Sequence, residues 1–408
     1  MELFTYRKCK NEYTITALMI VSIFFIFNPL LSIIFFFLFV VKHNYVNFQT
    51  MLLACILCSV YISLVNANKV AENDLVWYIE KYVDAQNYSY WEYIAGKGLL
   101  GGGSQEQGYT TLVWVINRIF DGNIWCFKFF ISLINYMFLT SSFLIYYKRY
   151  KCESPIPIFA AVFIMCFTPY IFTMSLQLVR QFLAGSVFTW LLVKKCVQGK
   201  TNIFLLICLP LLHTTALLFI PFFLFPQLDK PIRKEKLFYI CLLIALLGIQ
   251  IISQVLSKIS FLSDIAAINY ALSRASTGTS FDLGPLPLSK IVFILAILFV
   301  CIKIKRHSAI SKEPGIKRFS NTLIFLCIFI LINFNQSELS NRLCFYLFPF
   351  IPYVFLWGLR IYKRFASKEL ITGFTLFMIV FWSLYLHIGT WTYMIPVNVW
   401  LLPLWLYM

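Results

Sequence analysis

Residues 201–225 read TNIFLLICLPLLHTTALLFIPFFLF, an apolar run without Asp, Glu, Lys or Arg. Lys194, Lys195 and Lys200 precede it, and Lys230, Arg233, Lys234 and Lys236 follow. Such a run belongs in the hydrocarbon core of a bilayer, which takes about 20 apolar residues per crossing. Basic residues collect on the cytoplasmic side of membrane proteins, so both ends are expected to face the cytoplasm. The run is too long for one upright crossing and too short for two. Pro210 and His213 interrupt its middle, and a helical hairpin turning there satisfies both constraints. Irregular backbone at that depth must be buried in protein or line a wet cavity. The alternative is a single tilted span that departs from the charge rule.

The same logic extends along the chain. Of 408 residues, 60% are hydrophobic, 19% aromatic and 12% charged, against roughly 25% charged in soluble proteins. That excludes a secreted enzyme, a cytosolic oxidoreductase and a nucleic-acid-binding domain. Apolar stretches lie at about 15–41, 48–66, 126–147, 156–175, 178–193, 201–225, 237–257, 288–302, 319–334, 343–359 and 370–388, with a last aromatic-rich piece at 391–408. The expected fold is an all-α integral membrane protein, a single polytopic domain over 1–408 with about 10–12 transmembrane or re-entrant helices. Run 15–41 repeats the signature of 201–225, with Asn28-Pro29 at its middle and basic flanks on both sides. It is too long for the core of a cleavable signal peptide, and no small-residue cleavage site follows.

The net charge of +17 has a topological cause. Seven clusters, from Arg7-Lys8-Lys10 to Arg360–Lys368, hold 24 of the 34 Lys and Arg residues, and all seven are expected to be cytoplasmic. Three segments then face outward: 67–125, 258–287 and the short turn 335–342. The first is rich in Tyr, Trp and acids, and short interfacial helices are expected there, with Trp77, Trp91, Trp114 and Trp125 near headgroup depth. None of the twelve cysteines falls in 67–125 or 258–287, so neither disulfides nor redox chemistry is expected.

Ionisable groups in or beside spans are costly and point to function. Arg180, His213, Arg274 and Arg342 all fall on the outer side. Guanidinium groups bind phosphate oxygens bidentately and keep their charge in low dielectric, so such a set suits an anionic ligand. Each also has a plainer reading. Arg342 could pair with Glu338, Arg180 could snorkel to the interface, Arg274 could be ordinary surface, and His213 a neutral hydrogen-bonded core residue. Asp74 and Glu106 supply carboxylates that could act as general base or simply pair with an arginine. Gly101-Gly102-Gly103 lacks the lysine and preceding strand of a phosphate loop and reads as a turn. There is no recognisable metal-ligand set, so neither metal nor cofactor is expected.

Several short blocks occur in a telling order: Asp74 with Tyr78, Glu106-Gln107-Gly108-Tyr109, Leu178-Val179-Arg180-Gln181, Leu211-Leu212-His213-Thr214-Thr215-Ala216 before Ile220-Pro221, and Asn341-Arg342 before Tyr346. Over about 65–350 this resembles the EpsG-like branch of the Wzy O-antigen and exopolysaccharide polymerases. The basic N-terminus and the long first apolar run depart from the simple first span of such proteins.

The resemblance implies a GT-C-like, metal-independent glycosyltransferase in the bacterial inner membrane, with its active site facing the periplasm. It implies a donor and an acceptor that are oligosaccharides linked to undecaprenyl diphosphate, and a flippase and a chain-length regulator as partners. On that basis Arg180, Arg342 and Arg274 are assigned to the diphosphate. Glu106, Asp74 and His213 are the candidates for taking the acceptor's proton, His213 alternatively bonding the diphosphate. Tyr78 and Tyr109 are expected to stack on sugars beside Gln181. An O-antigen ligase has nearly the same physics. A flippase of the same lipid would show repeated halves, and none is visible.

Overall fold

Helix α1 (Leu18–Phe27) ends at Asn28, and there the chain turns. In this computed structural model the Asn28 side chain accepts from Leu31 N at 2.9 Å and caps α2 (Pro29–Lys42). Pro29 occupies the first turn, where its missing N–H leaves no bond unmade. Ser32 Oγ donates to Val21 O at 2.7 Å. In a continuous helix those residues would be about 16 Å apart, so α1 and α2 fold back on each other at Asn28.

The structure describes residues 18–72, 74–96, 106–150, 155–229, 286–307, 310–313, 315–334, 337–388 and 402–407. They are helical, with no strand among them. After α2 come α3 (Phe48–Ala67), α4 (Asp74–Asp84), α5 (Tyr90–Ile94), α6 (Gln107–Phe120), α7 (Ile124–Tyr150), α8 (Pro155–Cys166), α9 (Pro169–Met174), α10 (Val179–Gln198), α11 (Ile203–Leu212) and α12 (Pro221–Leu224). The C-terminal part holds α13 (Leu288–Arg306), α14 (Ile316–Ile332), α15 (Ser337–Leu347), α16 (Ile351–Ile361) and α17 (Lys368–Ile388). The expected span 237–257, the glycine run and nearly all of loop 258–287, Arg274 included, lie outside the described residues.

Four helical stretches among the described residues are long and apolar enough to cross a membrane: Phe48–Ala67, Ile124–Tyr150, Ser340–Ile361 running through α15 and α16, and Lys368–Tyr385 in α17. Several other expected spans are shorter or more polar helices. Residues 156–175 break at Phe167 and Thr168 into α8 and α9. α10 is 20 residues long but carries Arg180, Lys194 and Lys195.

α7 packs between α3 and α10. Polar contacts tie α3 to α7 and to the end of α9 where no water competes. Asn66 Nδ2 donates to Ser132 Oγ at 2.7 Å and to Ser175 Oγ at 2.8 Å, and Ser59 and Thr140 share a hydrogen bond of 3.1 Å. The short helices α4, α5 and α6 come from segment 67–125, where short helices are expected. Trp77 and Trp91 on them are exposed, whereas Trp114 Nε1 donates to Tyr88 O and Trp125 stacks on Phe129.

Residues 201–229 form a hairpin. α11 follows α10 after the left-handed turn at Gly199 and ends at His213, whose backbone is extended. A 3-10 segment, Thr214–Phe219, and α12 bring the chain back. Arg318, in the first turn of α14, secures the return: its guanidinium donates to both carboxylate oxygens of Asp229, at 2.8 and 2.6 Å, and to the carbonyls of Phe222 and Phe225. Asp229 feels the charge of Lys195 near the end of α10, while His213 feels that of Arg180 at its start. Both ends of the segment therefore lie at one end of α10 and the apex at the other.

Gly315 opens α14 with φ 83°, and a Cβ there would fall 1.7 Å from the Cys196 carbonyl oxygen. Gly199 also has a positive φ, of 70°, but faces open space. Gly199→Ala therefore carries only the left-handed backbone penalty of about 1–2 kcal/mol. Gly315→Ala adds a collision, and thermal unfolding in detergent is expected to show the larger loss for it. Equal losses would contradict the docking of α14 on the end of α10.

Candidate functional site

An apolar cluster seats α4 and α6 on the body. Leu75, Tyr78 and Tyr82 of α4 and Tyr109 and Val113 of α6 bury against Phe127 of α7 and Val179 of α10. Two close approaches then bring the polar residues together. At Gly108 a Cβ would lie 3.0 Å from Leu211 Cβ and 3.1 Å from its carbonyl oxygen, so glycine lets the first turn of α6 lie against the end of α11. At Gly185 a Cβ would lie 3.1 Å from Phe345 O, where α10 meets α15. The first contact joins Glu106 to His213, and the second joins Arg180 and Gln181 to Arg342.

Glu106 is the centre of the resulting cluster and is only 5% exposed. Its Oε2 accepts from Arg180 Nη1 at 2.5 Å. Its Oε1 accepts from Thr214 N at 3.2 Å and lies 3.6 Å from His213 Nε2. Arg180 Nε donates to the Tyr78 hydroxyl at 3.3 Å. The guanidinium carries five donors, and its Nη2 has no partner among the described residues. The Arg180 side chain is 36% exposed, so this free edge is open to a ligand.

His213 is fixed from its other side. Thr215 N donates to Nδ1 at 3.3 Å, and Thr215 Oγ1 lies 2.7 Å from the same atom. A ring nitrogen that accepts carries no proton, so Nε2 bears the N–H and faces Glu106. Thr215 Oγ1 in turn shares a 3.0 Å hydrogen bond with the Tyr346 hydroxyl. Gln181 Nε2 donates to the Arg342 carbonyl oxygen at 2.7 Å, and the Arg342 charge reaches His213.

Of the residues singled out from the sequence, Glu106, Arg180, His213, Gln181, Tyr78 and Arg342 meet in one place. Tyr109 joins them through its ring, which packs edge-on against Tyr78 with centroids 5.9 Å apart. Both tyrosine rings are buried, so the contact of Tyr78 with Arg180 is the interaction its position provides. Burial raises the Tyr78 phenol above its ordinary value, which keeps it neutral beside the guanidinium. Asp74 stands exposed at the start of α4, near enough for its charge to act on Tyr78. Arg274 lies outside the described residues, as does the side chain of Glu338.

Four participants carry no earlier assignment. Thr214 holds Glu106 through its backbone, and Thr215 with Tyr346 orients His213; the Thr-Thr pair directly after His213 was the available signal. Lys81 is a further cation, half-buried on α4 within electrostatic reach of Arg180 and Glu106. Burial first, and then the Arg180 charge, lower its pKa from the ordinary lysine value. Its place one helical turn after Tyr78 was the only clue. No group of three or more His, Cys, Asp or Glu suited to a metal ion occurs among the described residues.

The arrangement offers a paired carboxylate, a tautomerically fixed imidazole, and the cationic edges of Arg180, Arg342 and Lys81. Such a set can hold an anionic leaving group and receive a proton nearby. No curated protein and no solved structure matches the chain. Residues 51–401 match the EpsG family, a span that includes every residue of the cluster. Together with its apolar helices, this makes the chain a membrane protein that belongs to the EpsG family.

Proposed function

We propose that the protein is a polysaccharide polymerase that joins oligosaccharide repeat units carried on polyprenyl diphosphate at the periplasmic face of the bacterial inner membrane. Family membership supports a polymerase-like role in polysaccharide biosynthesis. The observation that carries the finer reading is the open Nη2 edge of Arg180, held in place by Glu106 and Tyr78, with the Arg342 charge reaching the adjoining His213.

The chemistry follows from those positions. The acceptor hydroxyl attacks the anomeric carbon of the donor glycan, and the bond from that carbon to the diphosphate oxygen breaks. The electron pair leaves with the lipid diphosphate, whose growing charge falls to Arg180 and Arg342. The acceptor's proton passes to Glu106, with His213 Nε2–H close enough to stabilise the carboxylate before transfer. Donors fixed in advance need no reorganisation as charge develops, which is why an arginine cluster serves here. Tyr78 and Thr215 position Arg180 and His213. The exposed Trp77 and Trp91 offer apolar faces to sugar rings.

Arg180→Ala is expected to lower glycan polymerisation by about 10²–10³-fold, the cost of one preorganised charge-stabilising donor, with the protein still present in the membrane. Unchanged chain length in a gel ladder would remove Arg180 from the site. Glu106→Gln keeps an oxygen for Arg180 but loses basicity. It is expected to slow turnover by about 10²–10⁴-fold while polyprenyl diphosphate binding persists. Loss of binding and turnover together would make Glu106 a structural partner only. Because cationic side chains supply the charge stabilisation, polymerisation by purified protein is expected to survive a chelator. Loss restored by a divalent ion would contradict this.

A further inference from the structure

α10 has two functional ends. Arg180 begins it, and Lys195 lies about 22 Å further along its axis at 1.5 Å per residue. Beside Lys195 opens a cleft of about 580 Å³, lined by Arg149, Lys195, Lys312 and Lys317 and by Asp229 and Glu313. The four cations come from three separate stretches: the last turn of α7, the last turn of α10, and the connection into α14 with that helix's first turn.

The two acids are already satisfied. Asp229 accepts twice from Arg318, and Glu313 accepts twice from Arg360. Arg149, Lys195, Lys312 and Lys317 have no carboxylate within ion-pair distance among the described residues. Among the described residues the concavity therefore carries an excess of positive charge. Its volume falls in the usual range for small-molecule sites, but its walls are polar rather than apolar, which suits a highly charged ligand. Basic residues gathered by the topology rule alone would be spread over separate loops. Here they line one cleft with Lys195 and Lys317 half-buried.

We propose that this cleft binds a phosphate- or diphosphate-bearing group, on the side of the protein opposite the Glu106 cluster. Arg149 provides a planar fork for phosphate oxygens, and the three lysines act as point charges around it. The group could belong to an anionic lipid headgroup or to a soluble phosphorylated molecule, and the chemistry of recognition is the same.

The test uses the full chain with Arg180→Ala and Arg342→Ala, so that the Glu106 cluster does not contribute. In phosphatidylcholine nanodiscs, inorganic pyrophosphate is titrated by calorimetry. In parallel, phosphatidylglycerol retention is measured by native mass spectrometry from mixed nanodiscs. Binding in at least one arm is expected, falling at least about tenfold in Lys195→Gln/Lys317→Gln, as loss of charge-assisted contacts predicts, and weakening with ionic strength. Pyrophosphate binding assigns a soluble ligand, and lipid retention alone assigns a headgroup. Lys363→Gln, a basic residue outside the cleft, is expected to change neither. Absence of binding in both arms, indifference to the cleft substitutions, or equal loss in Lys363→Gln would overturn the proposal.

Discussion

The pair between Glu106 and Arg180 is the interaction on which the candidate site depends. A carboxylate this deeply buried is tolerated only with a charged or hydrogen-bonding partner, since an unpaired one costs several kcal/mol. Glu106 finds Arg180 and Thr214 N, and in doing so it joins α6, α10 and the hairpin apex. The three segments are far apart in sequence. At their meeting point the partly exposed Arg180 guanidinium keeps a free edge.

Two features of the chain deliver that meeting. Glycine at 108 and at 185 removes the side chains that would hold α6 off α11 and α10 off α15. The hairpin of residues 201–229 does the rest, carrying His213 to the N-terminal end of α10 while Arg318 clamps its return near the C-terminal end. The anchor at one end and the Glu106 cluster at the other are thus linked by a single 20-residue helix. The same helix separates the Glu106 cluster from the basic cleft.

Much of this could be read from residue order. Both hairpins were legible because an apolar run with like-charged flanks and a central helix breaker has few solutions, and Asn28-Pro29 and His213 are where the chain turns. Arg180, His213 and Glu106 were legible because charge in an apolar setting is expensive and needs a reason. The alternative uses of Glu106, as base or as arginine partner, could not be separated, since pairing depends on the approach of α6 to α10. Of the expected spans, four among the described residues are long and apolar enough to cross a membrane, and composition does not reveal breaks such as the one at Phe167 and Thr168. Lys81 and Tyr346 were passed over for a similar reason: an exposed-looking lysine on a loop helix and a tyrosine in an aromatic stretch become site residues only through packing. The stacking role expected of Tyr78 and Tyr109 took no account of their burial against each other.

The central claim is that Arg180, steadied by Glu106, presents its free edge to a lipid-linked diphosphate beside Arg342. The most direct measurement is an electron cryomicroscopy structure of the protein with bound polyprenyl diphosphate. The account predicts density for the diphosphate against Arg180 Nη2 and the Arg342 guanidinium, with Glu106 still on Nη1. Diphosphate density away from both arginines, or an Arg180 turned out of the cluster with Glu106 paired elsewhere, would contradict it.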